Sequence, residues 1–117
     1  MLSPPLPAAL TDHHEAIADL CRAYGVSRLE VFGSATDGHF DPQHSDFDFI
    51  VRLAPAAAPA LGSLGRRFVG LAESLEAVLG RRVDLITDMP IRNPYFRQAV
   101  DASRRLLYER PPAEAPA

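Results

Sequence analysis

The sequence predicts a small α/β domain of the α+β kind, a mixed β-sheet with helices packed mainly on one of its faces. Three observations carry that prediction. Two long segments repeat apolar residues at helical spacing, and each is closed by a glycine, Gly25 or Gly80. Three short apolar runs ending near Phe32, Leu53 and Thr87 read as strands, too few for a doubly wound sheet. At 117 residues the chain has the length of one domain, which buries roughly two-thirds of its unfolded surface.

Residues 1–10 are rich in proline and alanine and predict an irregular N-terminal segment. Thr11 is placed to cap a helix running to about Tyr24, with Asp12 and Glu15 in its first turn and Ile17, Leu20, Cys21 and Tyr24 on one face. Arg28 to Phe32 predicts a strand that stops at Gly33, and Asp37 to His44 predicts a loop. Asp46 to Leu53 is the second strand. Ala54 to Ala60 is an alanine–proline linker too short to separate domains. Leu61, Leu64, Phe68, Leu71, Leu75, Val78 and Leu79 predict a long helix, and Arg82 to Thr87 a third strand. Asn93 caps a last helix with Pro94 in its first position, and Phe96, Val100 and Leu107 form its apolar side. The domain is thus expected over 11–110, followed by a disordered tail at 111–117.

Composition narrows the function. No apolar run reaches the ~18 residues of a membrane span, and no basic region followed by an apolar stretch marks a secretory signal. A single cysteine, Cys21, excludes an internal disulfide and fits a reducing cytoplasm. It reads as a small buried apolar residue. Net charge is −3, and the pairs Arg66-Arg67, Arg81-Arg82 and Arg104-Arg105 form no single stripe, so direct nucleic-acid binding is not expected. These arginines read as solvated or helix-end residues, a minority facing a nucleotide or partner. His13, His14, His39 and His44 lack metal-ligand spacing and read as surface residues.

The string Val31-Phe32-Gly33-Ser34, followed after eleven residues by Asp46-Phe47-Asp48, carries the chemistry. Side chains two apart on a strand share a face, so Asp46 and Asp48 stand side by side and repel unless a cation lies between them. A divalent ion with oxygen ligands is the simplest candidate. Asp84 lies within another apolar strand. Alone it reads equally as a satisfied or strand-end carboxylate; beside Asp46 and Asp48 it reads as a third metal-facing acid. Alone, Gly33-Ser34 reads as an ordinary strand-to-turn pair; with Asp-x-Asp following, it reads as a phosphate site, where Gly33 lets a phosphate approach the backbone closely and the Ser34 hydroxyl can bind phosphate oxygens. Ser45 orients Asp46 or caps the turn. Arg92, Asn93 and Arg97 are open between approaching a ligand and, for Asn93, plain helix capping. Tyr95 and Phe96 are expected to pack.

Gly-Ser, a loop and Asp-x-Asp resemble the nucleotidyltransferase superfamily that includes DNA polymerase beta and the aminoglycoside nucleotidyltransferases. The longer string Phe32-Gly33-Ser34-Ala35-Thr36 … Ser45-Asp46-Phe47-Asp48-Phe49, with Gly80-Arg81-Arg82-Val83-Asp84-Leu85-Ile86, Asn93-Pro94-Tyr95-Phe96-Arg97 and Leu106-Leu107-Tyr108, is similar to its minimal nucleotidyltransferase (MNT) branch. One departure is Asp37, an acid where many MNT proteins carry an arginine. The resemblance implies a polymerase beta-like core in which Asp46, Asp48 and Asp84 hold two Mg²⁺ ions and Gly33 and Ser34 bind ATP. It further implies an antitoxin that transfers AMP to a tyrosine of a partner HEPN-type ribonuclease toxin. A non-catalytic antitoxin acting by binding alone is the alternative. A small-molecule antibiotic nucleotidyltransferase fits less well, because little chain remains beyond the core to bind such an acceptor.

Overall fold

The computed structural model describes residues 5–41, 43–54, 63–87 and 92–110. Its elements are α1 (Ala8–Thr11), α2 (His14–Ala23), β1 (Val26–Phe32), α3 (Ser34–Asp37), β2 (Phe47–Leu53), α4 (Leu64–Leu79), β3 (Val83–Thr87), α5 (Pro94–Ser103) and β4 (Arg105–Glu109). The four strands form one mixed sheet in the order β3-β2-β1-β4. β1 pairs antiparallel with both β2 and β4, and β2 pairs parallel with β3. The parallel pair needs a crossover, which α4 supplies.

Strand alternation divides the sheet into two unlike faces. One face carries Leu29, Val31, Phe47, Phe49, Val51 and Val83, all buried, against Ile17 and Cys21 of α2 and Leu71, Leu75 and Leu79 of α4. This is the main core; it matches the expected apolar stripe of α2 and, in α4, the expected Phe68, Leu71, Leu75 and Leu79, whereas Leu64, also expected on that stripe, is 58% exposed. The opposite face carries a smaller cluster, Phe32 and Ile50 under Val100 of α5, with Ile86 beside it. Cys21 is fully buried and burial pushes its thiol up to about 12, so it packs as an inert apolar group.

Four sequence expectations need correction. The chain expected to be irregular up to Leu10 turns into α1, and Thr11 ends that helix rather than capping the next. The N-cap of α2 is His13, which makes no side-chain capping bond. The last helix stops at Ser103, and Leu107 belongs to a fourth strand. A bulge between Leu29 and Glu30 lets Leu107 and Tyr108 both pack on the main core, which breaks strand alternation and leaves spacing that mimics a helix. Finally, each arginine pair places one member in the structure. Arg67 is 2% exposed and donates to the carbonyls of Tyr24, Gly25 and Ala54. Arg81 lies over the stacked rings of Phe40 and Phe47 and donates to the Ser45 carbonyl. Arg104 binds Glu30.

The expectations for 1–4, 42, 55–62, 88–91 and 111–117, including the linker beyond Ala54, Leu61 and the tail, fall outside the described residues. Among the described residues no helix is long and apolar enough to cross a membrane.

Candidate active site

The face opposite the main core ends in a cluster of acids. Asp48 and Asp84 are paired across the parallel strands β2 and β3, and Asp48 also faces Phe32, the last residue of β1. Adjacent strands lie about 4.8 Å apart, so the two carboxylates are neighbours. Asp46 lies two positions before Asp48 on the same face, at the mouth of β2, and is half-buried. One step inward the face turns apolar with Ile50 and Ile86 under Val100.

Gly33 closes the site from the third side. It has φ 76° and ψ −146°, a conformation open essentially to glycine alone. A Cβ there would stand 2.6 Å from Oδ2 of Asp48, so the missing side chain is what lets the backbone lie against that carboxylate. The turn is held at both ends. The Gly33 N–H donates to Oγ of Ser103 at 3.2 Å, whose hydroxyl donates to the Ala99 carbonyl, while the Gly33 carbonyl accepts from the Thr36 hydroxyl at 3.0 Å. Ser34, half-buried, begins α3 directly beyond.

The electrostatics match this crowding. The Asp48 carboxyl is pushed up to about 6, first by burial, then by the charge of Asp84 and a hydrogen bond shared with it, and last by Asp46. Among the described residues no group of three His, Cys, Asp or Glu side chains is gathered closely enough to hold a metal by itself. That is compatible with Mg²⁺, which binds through one or two carboxylates and completes its shell with water and phosphate oxygens. Donors that are all oxygen, and a carboxylate on which only burial and neighbouring acids act among the described residues, fit such an ion.

The structure therefore brings Gly33, Asp48 and Asp84 together, with Asp46 and Ser34 at the rim. Other candidates lie apart. Ser45 accepts from the Asp41 N–H and caps the turn. Asn93 caps α5 by accepting from the Tyr95 and Phe96 N–H groups, and Arg97 pairs with Asp101 on its own helix. Asp37 folds back on its loop, where Oδ1 accepts from the His39 N–H. Phe96 packs edge-on against Phe32, but Tyr95 does not pack as expected, since it is 82% exposed. Ser103 and the Glu30–Arg104 pair, which anchor α5 to the sheet beside the site, escaped the sequence reading. A glutamate between Leu29 and Val31 was a visible signal for Glu30, whereas nothing local marks Ser103.

Comparison with known proteins gives concordant results. A family model described as nucleotidyltransferase domain matches residues 14–107. A Methanocaldococcus jannaschii protein inferred to be a protein adenylyltransferase is 32% identical over 92 residues, covering 79% of this chain and 84% of the relative. The fold is similar to a solved structure of a protein inferred to be a minimal nucleotidyltransferase, with a TM-score of 0.62 at 28% identity, covering 82% of this chain and 90% of that one. It is also similar to a complex of tri-AMPylated Shewanella oneidensis HEPN toxin with MNT antitoxin, with a TM-score of 0.55 at 20% identity, covering 86% and 72%.

Proposed function

We propose that this chain, which belongs to the nucleotidyltransferase-domain family and is a nucleotidyltransferase, is the antitoxin of a toxin–antitoxin pair, transferring AMP from ATP to a tyrosine hydroxyl of a HEPN-type ribonuclease in the cytoplasm. The observation that carries the reading is the opposed pair Asp48–Asp84 with the Gly33 backbone pressed against Asp48. A structural carboxylate pair would have a basic partner in the fold. Here the half-buried Asp48 meets only acids among the described residues, Asp84 and Asp46. The relative inferred to be an adenylyltransferase supports AMP as the group transferred, and the likeness of fold to an MNT–HEPN complex supports a HEPN-type acceptor.

Asp46, Asp48 and Asp84 would hold Mg²⁺, which when bound neutralises the triphosphate and lowers the pKa of an acceptor hydroxyl. Gly33 and Ser34 would orient the phosphates through backbone and hydroxyl, with Ser103 and Thr36 keeping the turn in place. The apolar floor of Ile50, Ile86 and Val100 excludes water beneath the reacting phosphorus. The acceptor oxygen then bonds to the α-phosphorus, the bond to the bridging oxygen breaks, pyrophosphate leaves and the hydroxyl proton passes to water.

The test is to incubate the chain with its toxin partner, ATP and Mg²⁺, and to weigh the toxin intact. One or more added AMP units, absent with Asp46→Asn, are expected. Tight binding and neutralisation with no mass change would overturn the enzymatic reading in favour of an antitoxin that acts by covering its target.

A further inference from the structure

We propose that Arg82 binds the terminal phosphates of the nucleotide and supports the departing pyrophosphate. The inference rests on the reading that this site takes a nucleoside triphosphate. Val83 pairs with Phe47, and the ladder continues one step outward, because the Phe47 N–H donates to the Arg82 carbonyl at 3.2 Å. Side chains on β3 alternate: Val83 and Leu85 pack on the main core, whereas Asp84 is exposed and Ile86 joins the opposite cluster. Arg82 therefore falls on the face of Asp84, level with Asp46 on the neighbouring strand.

Direction follows from what surrounds the carboxylates. Inward the face is closed by Ile50, Ile86 and Val100, where a polyphosphate could not be solvated. With its α-phosphorus near Asp48 and Asp84, the rest of the triphosphate must run outward, past Asp46 and Arg82. A cation is needed there, and residues 33–38 supply none. Arg81, the neighbour in sequence, is committed to the Ser45 carbonyl and to the Phe40 and Phe47 rings. Arg82 is exposed, and its guanidinium forms no hydrogen bond or ion pair with any described residue. A guanidinium suits paired phosphate oxygens because its donors form a planar fork.

The experiment compares the binding of ATP, AMP and pyrophosphate to the full chain with Mg²⁺ present, by calorimetry, for the native protein, Arg82→Gln and Arg82→Lys. Arg82→Gln should weaken ATP and pyrophosphate about tenfold and leave AMP unchanged, as expected for loss of one charged hydrogen-bond partner. Arg82→Lys should fall between. Thermal unfolding of each variant should match the native chain, since Arg82 is exposed. Unchanged ATP binding, or an equal loss for ATP and AMP, would overturn the role of Arg82 while leaving the site reading intact. Failure of the native chain to bind ATP at all would overturn both.

Discussion

Glu30 and Asp48 lie on adjacent strands, on the same face of one sheet, and the protein treats them in opposite ways. Glu30 is 5% exposed and receives Arg104 at 2.6 and 3.1 Å and Arg28 at 3.3 Å. Hydrogen bonds from Arg104, outweighing its burial, hold its carboxyl below the usual range. Asp48 is flanked by Asp84 and Asp46, and its carboxyl is pushed the other way, to about 6. Arg104 joins Glu30 to Asp101 of α5, so the first arrangement ties α5 to the sheet. The second arrangement strengthens nothing inside the chain. Under the proposed function, an acid that no described residue supplies with a cation is aimed at a ligand that brings one, and the contrast separates the structural acid from the one assigned to the site.

The contrast can be broken most severely at Glu30. Glu30→Ala strands Arg104 and opens the joint between β1 and α5, and should cost about 3 kcal/mol, measured by denaturant unfolding. Because the folded carboxyl is held low, the contribution of Glu30 is fully present above its unfolded value near ~4.3 and fades as pH falls through its folded value. The gap between native chain and variant should therefore close in acid. A loss below ~1 kcal/mol, as for an exposed pair, would mean that Glu30 is not the structural member of the comparison.

Gly33 tests the other side. Gly33→Ala places a Cβ against Oδ2 of Asp48 and forces alanine into a glycine-only conformation. The expected loss is about 2 kcal/mol of stability. Nucleotidyl transfer should fall further than stability accounts for, because Asp48 must move. Full activity in the variant would show that the Gly33 backbone does not set the position of Asp48.

The acids were legible in the sequence because their signal is local. Two-residue spacing inside an apolar run is a property of the strand alone, and it put Asp46 and Asp48 on one face; Asp84 stood out only as an acid inside another apolar run, and its place opposite Asp48 comes from the pairing of β2 with β3. Partners distant in the chain left no such trace. Arg104 meets Glu30 across 74 residues, Arg67 reaches three carbonyls on two other segments, and Ser103 reaches Gly33 across 70 residues. β4 was lost for another reason. Its bulge turns consecutive residues Leu107 and Tyr108 inward, so the strand period is broken and Leu107 keeps a helix-like spacing from Val100, and no breaker separates Ser103 from Arg104.

The smallest expected effect is the sharpest test of the comparison, because its sign is unusual. In the folded chain Asp48 titrates near 6, against ~3.9 in an unfolded one. Between those values the folded state holds a proton that the unfolded state has lost, so stability falls as pH rises through that window and stays lower above it. Asparagine carries no charge at any pH. Asp48→Asn should therefore be more stable than the native chain at neutral pH, by on the order of 1 kcal/mol once the half-exposed side chain's contact with water is allowed for. The difference should vanish on approach to pH 4, where both chains are uncharged at this position. Mg²⁺ should narrow it at neutral pH by binding the native chain and not the variant, while transfer of AMP is lost throughout. If instead the variant proves less stable than the native chain at neutral pH, the charge on Asp48 is satisfied within the fold, and its distinction from Glu30 disappears.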